Sequence, residues 1–117
     1  MKTINIPFAQ KFQLHGEYVL LDAIQIKSDG IYYYTCTCGG PIERVPIEEI
    51  KYASNCPYCN ISIEGEINEP VLVLYNDKCV EGRIEAIEVY SSDNSWYLIS
   101  TLYGSTWLRR ACVIPLN

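Results

Sequence analysis

The chain has 117 residues, 49% of them hydrophobic, enough to bury one modest core or two very small ones. Nine Lys and Arg stand against fourteen Asp and Glu, a formal net charge of −5, which argues against direct binding of nucleic acid, because that affinity comes mainly from basic residues releasing counterions from phosphate. The chain reads as whole from Met1, with no charged segment leading into an apolar leader and no apolar run near the roughly 18 residues that span a bilayer; a soluble, cytoplasmic protein with no membrane partner is expected.

In chain order, the only histidine, His15, lies in Gln13-Leu14-His15-Gly16-Glu17, so no two-histidine catalytic metal site can be built. Tyr18 to Lys27 is rich in strand formers, and Ser28-Asp29-Gly30 turns it into Ile31-Tyr32-Tyr33-Tyr34-Thr35, a hairpin that ends at Cys36-Thr37-Cys38-Gly39-Gly40-Pro41. Pro46 to Tyr52 has proline at a first helical position followed by acids, which predicts one short helix. Cys56-Pro57-Tyr58-Cys59 follows, and then Asn60 to Ile67 alternates apolar and polar as a strand does.

Cys36, Cys38, Cys56 and Cys59 form two tight pairs whose spacing suits one tetrahedral Zn²⁺, and four thiolates would leave it no open position for catalysis. Rubredoxin-type iron and four unmetallated core thiols are the alternatives. The segment 31–64 resembles the zinc-ribbon family, in which two cysteine knuckles on successive hairpins share one structural zinc; the first knuckle here is Cys-x-Cys where the commoner ribbon has Cys-x-x-Cys. Cys56-Pro57-Tyr58-Cys59 also spells the active-site tetrapeptide of the glutaredoxin family, but such a motif needs a helix after it to lower the thiol pKa, and a strand is expected instead.

Beyond Pro70 the expected strands are Val71 to Tyr75, Cys79 to Tyr90, Trp96 to Leu102, Thr106 to Arg109 and Cys112 to Ile114, with turns at Asn76-Asp77-Lys78, 91–95 and Tyr103-Gly104-Ser105. Residues 70–117 resemble small SH3-like barrels, including Tudor-type modules, in strand lengths and in the run from Val80 to Ile84 followed by Trp96 to Ile99. The fold expected is all-β and mainly antiparallel: an N-terminal unit, 1–69, carrying the zinc knuckles, and an SH3-like unit, 70–117, in one body. Ala23-Ile24-Gln25-Ile26 recurs as Ala86-Ile87-Glu88-Val89, and Tyr32-Tyr33-Tyr34 as Trp96-Tyr97-Leu98, 63 to 64 positions on; duplication and chance likeness of two amphipathic hairpins both account for this. Cys79 and Cys112 are expected as buried thiols on the first and last strands of the second unit, and Trp96 in its core.

A non-catalytic role follows from the closed metal site and the lone histidine. Ten tyrosines and two tryptophans in an acidic chain point to a protein-binding surface, with Glu81, Glu85, Glu88 and Asp93 meeting a basic partner and Tyr33, Tyr58, Tyr103 and Trp107 as exposed contacts. In size, charge and metal-stapled build the profile is similar to that of phage anti-CRISPR proteins, which implies an inhibitor or adaptor docked, in the host cytoplasm, on a nucleic-acid-handling protein. The alternative is an accessory module of a transcription, translation or other nucleoprotein machine, where zinc ribbons and SH3-like barrels recur. Mass spectrometry should find one zinc per chain, and either chelation or Cys36→Ser should lower the melting midpoint by roughly 10 °C or more; an unchanged midpoint in both refutes the structural metal.

Overall fold

In a computed structural model, which describes residues 1–8, 11–14, 16–36, 40–50, 59–91 and 93–116, the chain is all-β and antiparallel. Its strands are β1 Thr3–Phe8, β2 Lys11–Leu14, β3 Glu17–Lys27, β4 Gly30–Cys36, β5 Ile42–Pro46, β6 Cys59–Glu64, β7 Pro70–Tyr75, β8 Lys78–Ser91, β9 Asn94–Thr101, β10 Gly104–Arg109 and β11 Val113–Pro115. The helix expected from Pro46 is a single 3-10 turn, Ile47–Glu49, and the remainder of that expectation, 51–52, lies outside the described residues. A second such turn, Arg110–Cys112, stands where the last strand was expected to begin. β1 and β2 carry no strong sequence signal, since Pro7 interrupts the first and the second has four residues.

β1 and β6 form a two-stranded ribbon; the other nine strands form one sheet, ordered β10-β9-β8-β3-β4-β5 through its centre. That sheet is two repeats joined at β3 and β8. Ile24 pairs with Val89, Gln25 with Glu88 and Ile26 with Ile87, while Ile24 and Ile87, Gln25 and Glu88, and Ile26 and Val89 are the matches seen 63 positions apart. A pseudo-twofold axis therefore runs through the Gln25–Glu88 pair. The match extends to irregularities: the β3–β4 register shifts between Leu21 and Ala23, and the β8–β9 register between Ile84 and Ala86, the same positions 63 residues on. Ile24 faces Tyr33 as Ile87 faces Tyr97, Tyr33 faces Val45 as Tyr97 faces Leu108, and each edge strand runs into a 3-10 turn followed by a buried residue, Ile50 or Val113.

The ribbon obeys the same axis at a different offset. Ile4 pairs with Ile63, Asn5 with Ser62 and Ile6 with Ile61, so Ile4-Asn5-Ile6 and Ile61-Ser62-Ile63 are copies 57 residues apart that cross at Asn5 and Ser62. The Ser62 hydroxyl donates to Asn5 Oδ1 at 2.8 Å on that axis. Ile6, Ile61 and Ile63 turn into the core, where Tyr33 and Tyr97 reach across to donate to the carbonyls of Pro7 and Glu64, themselves matched positions on the two ribbon strands. The radius of gyration, 15.6 Å, exceeds the roughly 13 Å of a compact chain this long, because one buried cluster runs through both repeats of a body 48 Å long.

The two halves of this core fill matched positions with different volumes. In the first, Phe12 stands opposite Val19 and packs edge-on against Tyr33 at 5.2 Å, with Thr35 beside them; in the second the matched residues are Val71, Gly82 and Ile99. Gly82 leaves room for Ile99, since a Cβ there would lie 2.5 Å from Ile99 Cγ2 and 2.8 Å from the Ser100 carbonyl. Two residues of positive φ, Asn76 and Asp77, make the tight β7–β8 turn that the sequence indicates. Gly82→Ala should therefore cost about 1–3 kcal/mol in urea unfolding, the usual penalty of overpacking, and a loss-free variant would contradict this packing.

Candidate functional site

Side chains of cross-strand partners share a face of the sheet. One face carries Ile24, Ile87, Tyr33 and Tyr97 and is covered by the ribbon; the other is open and holds the row Pro46, Tyr32, Gln25, Glu88, Trp96 and Arg109 across all six central strands. Beside that row stand the pairs Tyr34–Arg44 and Leu98–Trp107. Arginine stacks on an aromatic ring in each half: Arg44 lies 4.2 Å above the centre of Tyr32, and Arg109 lies 5.0 Å from that of Trp96.

Between Glu88, Tyr90, Asn94, Trp96 and Trp107 the open face sinks into a cleft of about 510 Å³. Among the described residues Glu88 is the only carboxylate lining it. Its Oε1 accepts from Gln25 Nε2 at 3.3 Å and its Oε2 from the Tyr90 hydroxyl at 2.7 Å, so two neutral donors fix the carboxylate and neither neutralises it. The bond to Glu88, aided by burial and by the nearby negative charge, pushes the Tyr90 phenol up to about 12. Gln25 is only 9% exposed although it lies on the open face, and its Oε1 is buried without a hydrogen-bond partner.

The structure gathers some of the sequence-selected residues and separates others. Glu88 and Trp107, 40% exposed, share the cleft. Glu85, the extra residue of the β8 bulge, accepts from the Ser105 hydroxyl at 2.8 Å and lies exposed between that cleft and Glu81. Glu81 and Tyr103 line a second groove, of about 590 Å³, with Pro70, Arg83, Leu102 and Leu116; Tyr103, 69% exposed, stacks parallel on Tyr75 at 6.0 Å. Asp93 stands apart, beside a smaller hollow that also contains Ser62, Glu64 and Arg110. There the Arg110 guanidinium is ion-paired with Glu64 and holds its carboxyl below the ordinary range.

Tyr33, expected as an exposed contact, is fully buried: with Ile24 on one side and Val45 on the other it belongs to the covered face, and Tyr32 and Tyr34 take the open one. Trp96, expected in the core, is half-buried on the open face for the same reason of strand parity. Cys79 lies on the strand expected to start with it but is exposed rather than buried, and Cys112 is half-buried in the second 3-10 turn rather than opening the last strand. Tyr90, Asn94, Arg44 and Gln25 were not singled out from the sequence, although strand parity relative to Glu88 and Tyr32 marks Gln25 and Tyr90 as neighbours.

Of the four knuckle cysteines, Cys38 and Cys56 lie outside the described residues, as do Tyr58 and His15. Cys36 is the last residue of β4 and Cys59 the first of β6. Tyr33, three residues before Cys36, bonds to Pro7, and Cys59 pairs with Phe8 next along that strand, so β4 and β6 are both tied to the end of β1. Among the described residues no three of His, Cys, Asp and Glu come together as a metal-holding group, and no helix is long and apolar enough to cross a membrane.

Replacing Glu88 by Gln should bring the Tyr90 titration down from about 12 toward 10, followed by NMR of the tyrosine ring carbons. Because the folded value is the raised one, the Tyr90 contribution to stability is whole below pH ~10 and fades as pH rises toward 12, so Tyr90→Phe should lose less stability than the parent over that interval.

No family model matches the chain, and neither the curated proteins nor the solved structures contain a match to it.

Proposed function

We propose that the chain is a non-catalytic protein-binding module, an inhibitor or adaptor that docks the open face of its sheet on a basic surface of a nucleic-acid-handling protein. The observation that carries this reading is the cleft in which Glu88, fixed by Gln25 and Tyr90, faces Trp96 and Trp107 with no ion pair to any described basic residue. Glu85 and Glu81 extend the negative row along β8, and Arg83 between them turns its guanidinium to the Asn68 carbonyl at 2.9 Å. Aromatic rings beside Glu88, with Glu85 and Glu81 farther along β8, suit a partner rich in Arg and Lys, where charge sets the encounter rate and the rings supply contact area.

Two further assignments belong to this proposal. Zn²⁺ held by Cys36, Cys38, Cys56 and Cys59 would staple the β4–β5 hairpin to the start of β6, a structural role. The second repeat reads as an SH3-like unit, supported by its connectivity: the meander β7-β8-β9-β10, a 3-10 turn, and β11 returning to pair with β7. The target class is the one that anti-CRISPR proteins block, and the protein would act in the cytoplasm of the cell that holds it.

The test is affinity capture from nuclease-treated bacterial lysate with the parent chain and with the double variant Glu85→Lys/Glu88→Lys. The parent should retain a basic nucleic-acid-handling protein and the variant should lose it, with an association rate about tenfold slower or worse at low salt. Equal capture by both would refute docking through this face, and capture that vanishes on nuclease treatment would favour the accessory module of a nucleoprotein machine.

A further inference from the structure

The two repeats present dyad-related versions of one constellation on the open face, and the differences between them identify a ligand. In the first repeat the three positions are Gln25, Tyr32 and Arg44; in the second, by matched register, they are Glu88, Trp96 and Trp107. The first repeat supplies its own guanidinium, which lies 4.2 Å over the Tyr32 ring beside a neutral amide. The second has replaced that arginine by a ring and the amide by a carboxylate. The guanidinium over the Trp96 ring comes instead from Arg109, at the position matched to Pro46, so what the second repeat has gained is a carboxylate and a second ring.

We infer that the cleft between Glu88, Trp96 and Trp107 is a subsite for an arginine side chain of the partner, seated on the Trp107 ring and against the Glu88 carboxylate. The inference rests on the reading of this face as the docking surface and names its anchor. A guanidinium is favoured over an ammonium because it is planar and weakly hydrated, stacks on the Trp107 ring and still points donors at a carboxylate. Arg109 already lies on Trp96, which leaves Trp107 as the uncovered ring, with no cation placed over it among the described residues. Glu88 is held by Gln25 and Tyr90 through one lone pair on each oxygen, so both oxygens keep acceptor capacity for a two-pronged contact. Asn94 closes the cleft at the β8–β9 turn. A hydrophobic ligand would desolvate the Glu88 charge with no cation against it, and an anion would meet the carboxylate directly.

The probe is the blocked peptide acetyl-Gly-Arg-Gly-amide titrated into the ¹⁵N-labelled full chain, with acetyl-Gly-Lys-Gly-amide as its comparison. The indole N–H signals of Trp96 and Trp107 should shift with the arginine peptide in the range of about 1–10 mM expected of a single side chain, and several-fold more weakly with lysine. Glu88→Gln should weaken the arginine response about tenfold, the loss of one charge-assisted hydrogen bond, and Trp107→Ala should abolish it, both with an otherwise dispersed amide spectrum that shows the fold intact. No shift at either indole, equal response to lysine, or full response in Glu88→Gln would each overturn the subsite. If the peptide fails while Glu85→Lys/Glu88→Lys still loses the captured partner, docking through this face stands and the arginine anchor falls; if the peptide binds and both chains capture equally, the reverse holds.

Discussion

Two tyrosine hydroxyls inside the core set the terms for the rest of the molecule. A buried hydroxyl without a partner costs about 1–3 kcal/mol, so Tyr33 and Tyr97 must each find an acceptor where the surrounding residues are isoleucine and valine. They find the carbonyls of Pro7 and Glu64, one on each strand of the ribbon and each near the end of its strand. Because the donors sit on opposite halves of the sheet and the acceptors on opposite strands, the two bonds clamp the ribbon across the junction of the repeats. Ile6, Ile61 and Ile63 are trapped between them, and Gly65 permits the approach, since a Cβ there would lie 3.1 Å from Ile84 and 3.2 Å from Tyr97. One slip of ribbon register would turn these isoleucines outward and remove both acceptors together.

Within so symmetric a frame, the departures from symmetry are where a role can be written. The covered face repeats itself conservatively, with compensating volumes at Phe12 and Val71, Val19 and Gly82, Thr35 and Ile99. The open face does not: amide becomes carboxylate, arginine becomes tryptophan, and Lys27 becomes Tyr90. The hairpin tips diverge as well. Thr101 caps the Leu102-Tyr103 turn with two hydrogen bonds of 3.0 Å and leaves Leu102 99% exposed, while the matching turn after Cys36 is longer and carries one cysteine knuckle. Of the two matched hairpins, one thus has an apolar tip and the other has Cys36 and Cys38 at the start of its connecting sequence.

Much of this was legible beforehand, for reasons that vary with the element. Glu17–Lys27, Lys78–Ser91 and Asn94–Thr101 are long, rich in β-branched and aromatic residues and bounded by turn formers, and the all-β expectation rests on them. The offset of 63 to 64 residues was visible because β3 with β4 and β8 with β9 kept their spacing. The ribbon copies were hidden because their offset is 57, the loops between having changed length, and because a match of three residues, two of them isoleucine, is too short to stand out. The exposure of individual aromatics was the weakest reading. In Tyr32-Tyr33-Tyr34 alternation shows that the middle ring differs from its neighbours, but which face is covered depends on the ribbon, and that is decided by residues 57 positions apart. The cleft likewise needed the pairing of Glu88 with Trp96 and Gln25, which no local pattern contains.

The pairing across the pseudo-axis also bears on how the chain reaches this state. β3 meets β8 between residues about 63 apart, and β1 meets β6 between residues up to 61 apart, so neither repeat can close its core until most of the other has been assembled. Contacts so distant along the chain carry a loop-closure cost before any burial rewards them, which places folding on the slow, milliseconds-to-seconds side typical of all-β topologies. A nascent chain that had emerged only through β5 would hold its half of the ribbon and its half of the central ladder with nothing to pair against. The folding of the two halves is therefore coupled, because the β3–β8 ladder and the β1–β6 ribbon each take one strand from either half.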